Sequence, residues 1–144
     1  MIILDTNVLS ELMRSNPSPE VVAWVAKQPG TELFTTSITE AEIFYGIELL
    51  GRGKRREKLL AAAEAMFAED LAGRVIGFES DAARVFAWIA AHRRTLGKPI
   101  SHADAQIAAI AKVRRAKLAT RNVVDFGDCG VEVVDPWQWP VGAS

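Results

Sequence analysis

Hydrophobic and polar positions along the chain switch repeatedly between a strand-like and a helix-like pattern. Ile2, Ile3 and Leu4 form an unbroken apolar run with β-branched side chains, which suits a strand buried on both faces of a parallel sheet. The run stops at Asp5, and Val8, Leu9 and Leu12 then recur at helical spacing. Asn16 to Pro19 reads as a turn. Ser18, ahead of Pro19 and Glu20, caps a helix carrying Val21, Val22, Trp24 and Val25, which Pro29 and Gly30 end. Glu32–Thr36 is short and β-prone, giving a second strand. Ser37–Leu50 follows as a helix, with Thr39 and Glu42 spaced as a capping box and Ile38 and Ile43 as a hydrophobic staple.

Gly51-Arg-Gly53 interrupts the chain before a charged, alanine-rich helix expected from about Arg55 to Leu71, and Arg74–Phe78 reads as a third strand. From Glu79, Ala82, Val85, Phe86 and Ile89 fall on one face of a helix that ends near Gly97–Pro99. Ser101 to Arg114 is another helix, buried through Ile107, Ala108, Ile110 and Ala111, with Ser101 and Asp104 as its capping pair. Lys117–Thr120 and Val131–Val134 are the last strands. Roughly five strands alternating with helices predict an α/β fold: a parallel sheet with helices on both faces and right-handed crossovers. No linker, repeat or low-complexity tract divides residues 1–144, so one domain is expected. Asp135–Trp139 reads as a tail whose indoles pack over an apolar surface, with partner binding by Trp137 or Trp139 as the alternative.

Composition narrows the picture. A chain of 144 residues, 49% of them hydrophobic, can bury one sizeable core. The net charge of -1 gives no general attraction for nucleic acid, so contact with phosphates has to come from local clusters. Two stand out. Arg52, Lys54, Arg55, Arg56 and Lys58 read as a solvated helix face, while from Lys112, Arg114, Arg115, Lys117 and Arg121 the candidates for phosphate contact are Arg121 and Arg114. The lone Cys129 excludes an internal disulfide and fits a reducing compartment. With no basic-then-apolar leader and no long uncharged helix, a cytoplasmic protein with no membrane partner is expected. No glycine-rich loop follows the first strand, which argues against a dinucleotide oxidoreductase.

The candidate chemistry lies in the acids. Of eighteen, Asp5, Glu42, Asp104 and Asp125 stand at the ends of elements rather than on solvated faces. In a parallel sheet those ends share the carboxyl edge, where ligands bind. Two like charges about 4 Å apart repel by roughly 4 kcal/mol at an effective dielectric near 20, so such a cluster takes up a cation or protons. Hard oxygen donors without histidine or cysteine favour Mg²⁺ or Mn²⁺ over zinc, and phosphodiester hydrolysis is the reaction such a site does best. The competing reading makes Asp5 a helix cap and Glu42 and Asp104 capping acids, each contributing about 0.3–1 kcal/mol through the helix dipole. Three such acids in one chain tip the balance toward a shared site. His92 and His102 read as structural.

Four segments in order, Leu4-Asp-Thr-Asn-Val-Leu-Ser-Glu11, Ser37-Ile-Thr-Glu-Ala-Glu42 with Tyr45-Gly46, Ala103-Asp104 with Ile107-Ala108, and Ala119-Thr-Arg-Asn-Val-Val-Asp-Phe126, resemble the PIN-domain ribonucleases. Within them the chain is most similar to VapC-type toxins of bacterial toxin–antitoxin pairs, on the FitB-like branch, through the Asp-Pro-Trp ending. The resemblance implies a PIN-like fold and a Mg²⁺-dependent endoribonuclease whose metal-site acids map onto Asp5, Glu42 and Asp104. It also implies a homodimer, a cognate antitoxin that inserts a segment near the site, and operator DNA bound only through that antitoxin. Family members often carry Asp directly after Thr-x, where this chain has Asn122, so Asn122 and Asp125 are alternatives for completing the site. Thr6 and Thr120 stand beside the acids, either orienting carboxylates and water or serving structure. A dimerisation surface is expected on the helices between residues 20 and 70.

Two other functions compete. A haloacid-dehalogenase-like phosphatase also opens on a strand-end Asp, but it needs Asp-x-Asp and Asn7 holds the second place. A binding module of an antitoxin/DNA complex, without nuclease activity, would use the acidic pocket only to dock a basic partner segment, an arginine binding its carboxylates in bidentate fashion.

Overall fold

Strand β1 (Ile2–Leu4) is the middle of a five-stranded, all-parallel sheet completed by β2 (Leu33–Thr36), β3 (Val75–Ile76), β4 (Lys117–Ala119) and β5 (Val133–Val134), in the order β3-β2-β1-β4-β5. This computed structural model describes residues 1–140; the last four positions of the 1–144 domain expected from the sequence lie outside the described residues. Side chains alternate across the sheet as strand geometry requires. Ile3 and Leu118 enter one core cluster with α5 (Ser80–Thr95) and α6 (His102–Arg114). Leu4 and Ala119 enter the other with α1 (Thr6–Leu12), α2 (Pro19–Lys27), α3 (Ser37–Glu48) and α4 (Lys54–Ala65). Both faces are therefore covered, as the unbroken apolar run of β1 predicts. Burying side chains such as Ile3 and Leu4 contributes about 1.5–3 kcal/mol each.

The helix starts hold one correction that bears on function. Thr36, the last residue of β2, is the N-cap of α3, its Oγ1 accepting the Thr39 N–H at 3.1 Å. Thr39 is the third helical residue and fully buried, so the Thr39–Glu42 box and the Ile38–Ile43 staple do not form. The unpaired N–H groups that a cap serves lie one turn earlier, where the extended backbone of Thr36 turns into the helix. Glu42 thus stands in the second turn, free of capping duty. The Ser101 cap does form, its Oγ accepting the Asp104 N–H at 3.2 Å.

Other boundaries shift for local reasons. The helix expected from Arg55 to Leu71 begins at Lys54 and gives way at Ala65 to a π-turn over Met66–Asp70, closed by the Leu71 N–H on the Met66 carbonyl at 2.9 Å. The wider turn keeps Met66, Phe67 and Leu71 all in the core. β3 and β5 shorten to two residues each because they are edge strands with one neighbour apiece. The Asp135–Trp139 segment packs as expected, with Pro136 buried and Trp137 and Trp139 against the α1–α4 core cluster. Among the described residues no helix is long and apolar enough to cross a membrane.

Candidate active site

The carboxyl ends of β1, β2 and β4 lie side by side, and each delivers a side chain to one cleft. Asp5 follows β1 directly and is only 3% exposed. Its Oδ1 accepts the Thr6 N–H at 2.8 Å, the first of α1, while Oδ2 accepts the Thr120 hydroxyl at 2.7 Å. Thr120 Oγ1 in turn accepts from the Asn7 amide and the Asn122 backbone N–H, each at 3.1 Å. Burial raises the Asp5 carboxyl to a pKa of about 6 although Thr120 and Thr6 oppose it; repulsion from Asp104 and Glu42 adds to the rise.

Glu42 reaches the cleft from the second turn of α3, where the Thr6 hydroxyl donates to its Oε1 at 2.7 Å; Thr6 Oγ1 also lies 3.1 Å from the buried Thr39 hydroxyl. Asp104 comes from the first turn of α6. Burial raises its pKa, the Ser101 hydroxyl opposes that, Glu42 and Asp125 raise it further, and Arg93 draws it down. Three acids far apart in sequence thus sense one another's charge, as the parallel topology predicts.

Asp5, Glu42 and Asp104 line a cavity of roughly 500 Å³ together with Thr6, Asn122 and Arg121. One wall is a polar stripe that the sequence reading missed: Asn7, Ser10 and Glu11 of α1, continued by Arg14 just past the helix end. Their spacing of three, four and seven residues was the available signal, since Val8, Leu9 and Leu12 take the opposite, buried stripe. Asn7 ties α1 to the loop after β4, its Nδ2 reaching Thr120 while its Oδ1 accepts the Arg121 N–H at 3.3 Å. On the facing wall the Arg121 guanidinium lies 5.2 Å from the Trp137 ring centroid, so the indole stacks against a phosphate-contact candidate.

Two expected residues are not brought in. Arg114 lines a separate hollow with Glu79 and Asp81. It stands ten residues beyond Asp104 on α6, about 15 Å along the helix axis, which removes it from the site. Asp125 is exposed and does not line the cavity, although its charge is felt by Asp104; Asn122 does line it. Asn122 precedes a 3₁₀ turn over Val123–Phe126, and the buried Arg93 clamps that turn: its Nη1 donates to the carbonyls of Asp125 at 2.7 Å and Gly127 at 2.9 Å. Nε of Arg93 donates to the Lys98 carbonyl at 2.7 Å, so one guanidinium ties the approach to α6 to the loop after β4. His92 stacks on Trp88 and His102 packs edge-on to Phe86, both away from the cavity.

The lining fits a hard divalent cation: four carboxylates, of which Glu11 is already engaged by Arg14 and the Ser18 N–H, two amides and two hydroxyls, with no sulfur or imidazole. Among the described residues no three acids close tightly around one point, because Asp5 is turned to Thr120 and Glu42 to Thr6.

Comparison with known proteins agrees with this arrangement. The PIN domain family matches residues 2–126. VapC ribonuclease Y4jK of Sinorhizobium fredii is 39% identical over 138 residues, covering 96% of this chain and 99% of that protein. Toxin FitB of Neisseria gonorrhoeae is 38% identical over 137 residues, 95% of this chain and 99% of its own length. The solved structure of FitAB bound to an IR36 DNA fragment contains a chain that superposes with a TM-score of 0.90 at 36% identity, covering 99% of this chain and all of that one. On the sheet order, the acidic edge and these matches, the chain belongs to the PIN-domain family, alongside VapC ribonuclease and the FitB toxin.

Proposed function

We propose that this chain is a Mg²⁺-dependent endoribonuclease acting as the toxin of a toxin–antitoxin pair. The observation that carries the reading is the meeting of Asp5, Glu42 and Asp104, from the end of β1, from α3 and from α6, in one cavity flanked by Arg121 and Asn122. Those three carboxylates would hold the ion, Mg²⁺ or Mn²⁺, directly or through its waters. When bound, it supplies Lewis acidity, lowering the pKa of water and offsetting charge on the phosphoryl oxygens.

The remaining roles fall to the chain itself. Thr120 and Thr6 orient Asp5 and Glu42 through the hydroxyl contacts described above. Asn122 completes the site with an amide that adds no further negative charge, and Asp125 stays outside. Arg121, steadied by Trp137, holds a phosphate next to the scissile bond.

The names of the relatives, a ribonuclease and a toxin, support an RNA substrate and a cognate antitoxin. The FitAB complex on DNA supports operator contact made through that partner, in keeping with a net charge of -1 here. Two copies pair through the α2–α3 surface, where Val22, Tyr45 and Leu49 are exposed.

Labelled RNA incubated with Mg²⁺ and then with EDTA tests the reading. Cleavage in the first condition only, lost in Asp5→Asn and Asp104→Asn proteins that keep their fold, is the expected result. Cleavage in neither condition overturns it in favour of a binding module.

A further inference from the structure

The concavity that holds the acids does not end at Glu42. Ser10, Arg14 and Glu42 line both the acidic cavity and an adjoining groove between α1, α3 and α4. Met13, Arg14, Arg55 and Leu59 carry that groove on to a third hollow beside Ser15 and Asn16. The sign of the charge reverses along the way. Four carboxylates, Glu11 among them, line one end, and beyond Glu42 the lining has Arg14, Arg55 and Lys58 and no acid.

The basic cluster of α4 is therefore not a uniformly solvated face. Arg56 turns to α3, its Nη2 lying 2.9 Å from Glu48 Oε1. Arg55 and Lys58, three residues apart, share the groove face with Leu59 and Ala62. Arg14 is rooted on the buried Glu11, 3.3 and 3.4 Å from its two carboxylate oxygens, and Glu11 is itself held by the Ser18 N–H at 3.0 Å. The arginine side chain remains 67% exposed, free to meet a ligand.

We propose that this groove is the track of single-stranded RNA leaving the cavity, its phosphates meeting Arg14, Arg55 and Lys58 in turn while bases lie against Met13, Leu59 and Ala62. The inference rests on the ribonuclease reading. An internal phosphodiester is cut only if the strand runs away from the centre in both directions, and Arg121 serves one exit while Arg14 opens the other. A cationic rim over an apolar floor also suits an acidic peptide. Direct continuity with the reacting cavity favours the polynucleotide, which has to cross this opening to be cut.

The test uses full-length protein carrying Asp104→Asn, so that bound RNA survives, with and without Arg55→Gln/Lys58→Gln or Arg55→Glu/Lys58→Glu. Fluorescence anisotropy then compares a single strand of about 12 nucleotides with one of about three. The longer strand should lose about tenfold in affinity with the neutral pair and more with the reversed pair. Its log–log salt slope should become shallower by about 1.4, at roughly 0.7 for each single-strand phosphate contact removed. The shorter strand should change by less than about twofold, since it does not reach α4. In protein with Asp104 intact, the KM for the longer strand should rise with the same substitutions. Unchanged affinity and slope in a protein that still cleaves RNA remove the track and leave the ribonuclease. Loss of a labelled oligoglutamate peptide without loss of RNA assigns the groove to a protein partner and overturns the proposal. A native protein that cleaves no RNA takes down the ribonuclease reading and the track together.

Discussion

Asp5 and Arg93 are both buried charges, 3% and 6% exposed, and the fold treats them in opposite ways. Arg93 is met by three carbonyl oxygens at 2.7 to 2.9 Å, and among the described residues no carboxylate lies within salt-bridge distance, so its close partners are dipoles and Asp104 acts on it only from farther off. Asp5 has close donors in Thr6 and Thr120, yet neighbouring acids and burial still lift its pKa to about 6. A buried charge that is fully solvated by the protein serves architecture, and one left under-compensated at the wall of a cavity serves a ligand. The two sites differ in which of these the fold has completed.

Substitution of both residues breaks that contrast most directly. Asp5→Asn should reduce Mg²⁺-dependent RNA cleavage by about a thousandfold or more, roughly 4 kcal/mol of transition-state stabilisation, measured under single-turnover conditions. The same change should stabilise the metal-free fold. A carboxyl moved from 3.8 to about 6 gives stability that is complete below pH 4 and is lost as the pH rises through 6, a cost of about 3 kcal/mol at neutral pH. Denaturant unfolding in EDTA should therefore show Asp5→Asn matching the native chain near pH 4 and exceeding it above pH 6. Equal stabilities at both would mean that Asp5 is as well solvated as Arg93.

Arg93→Met should act in the reverse sense, destabilising by about 2 kcal/mol because it removes the donor shared by the part-buried carbonyls of Lys98, Asp125 and Gly127. Arg93→Lys keeps the charge without the fork and should recover part of the loss in the same unfolding measurement. Thr120→Val has the smallest expected effect. It removes one donor from Asp5 without changing shape, and Mn²⁺ affinity read by calorimetry should fall about tenfold.

The two charges were not equally legible in the sequence. Asp5 announces itself, since an apolar β-branched run that stops at a carboxylate is visible in one dimension, and parallel alternation then places Asp104 at the same edge. Glu42 was found for a partly mistaken reason: two Thr-x-x patterns overlap at Thr36 and Thr39, and the cap went to the first because β2 ends there. Arg93 left no trace because its partners are carbonyls, which every residue has. Arg114 looked close to the site because it is near Arg121 in sequence, but β4 lies between them and the axis of α6 carries Arg114 away. The stripe of Asn7, Ser10, Glu11 and Arg14 was readable from its period. Only the apolar side of α1, Val8, Leu9 and Leu12, entered the sequence reading.

The pairing of β1 with β4, Ile2 beside Lys117, sets when the acidic cleft can assemble. On the ribosome the segments bearing residues 5 and 42 emerge early, but the third acid and the strand that locks the middle of the sheet are made late. A copy cut short before Asp104 thus has no complete acidic cleft. The order of the chain itself delays that assembly until α6 and β4 have been made.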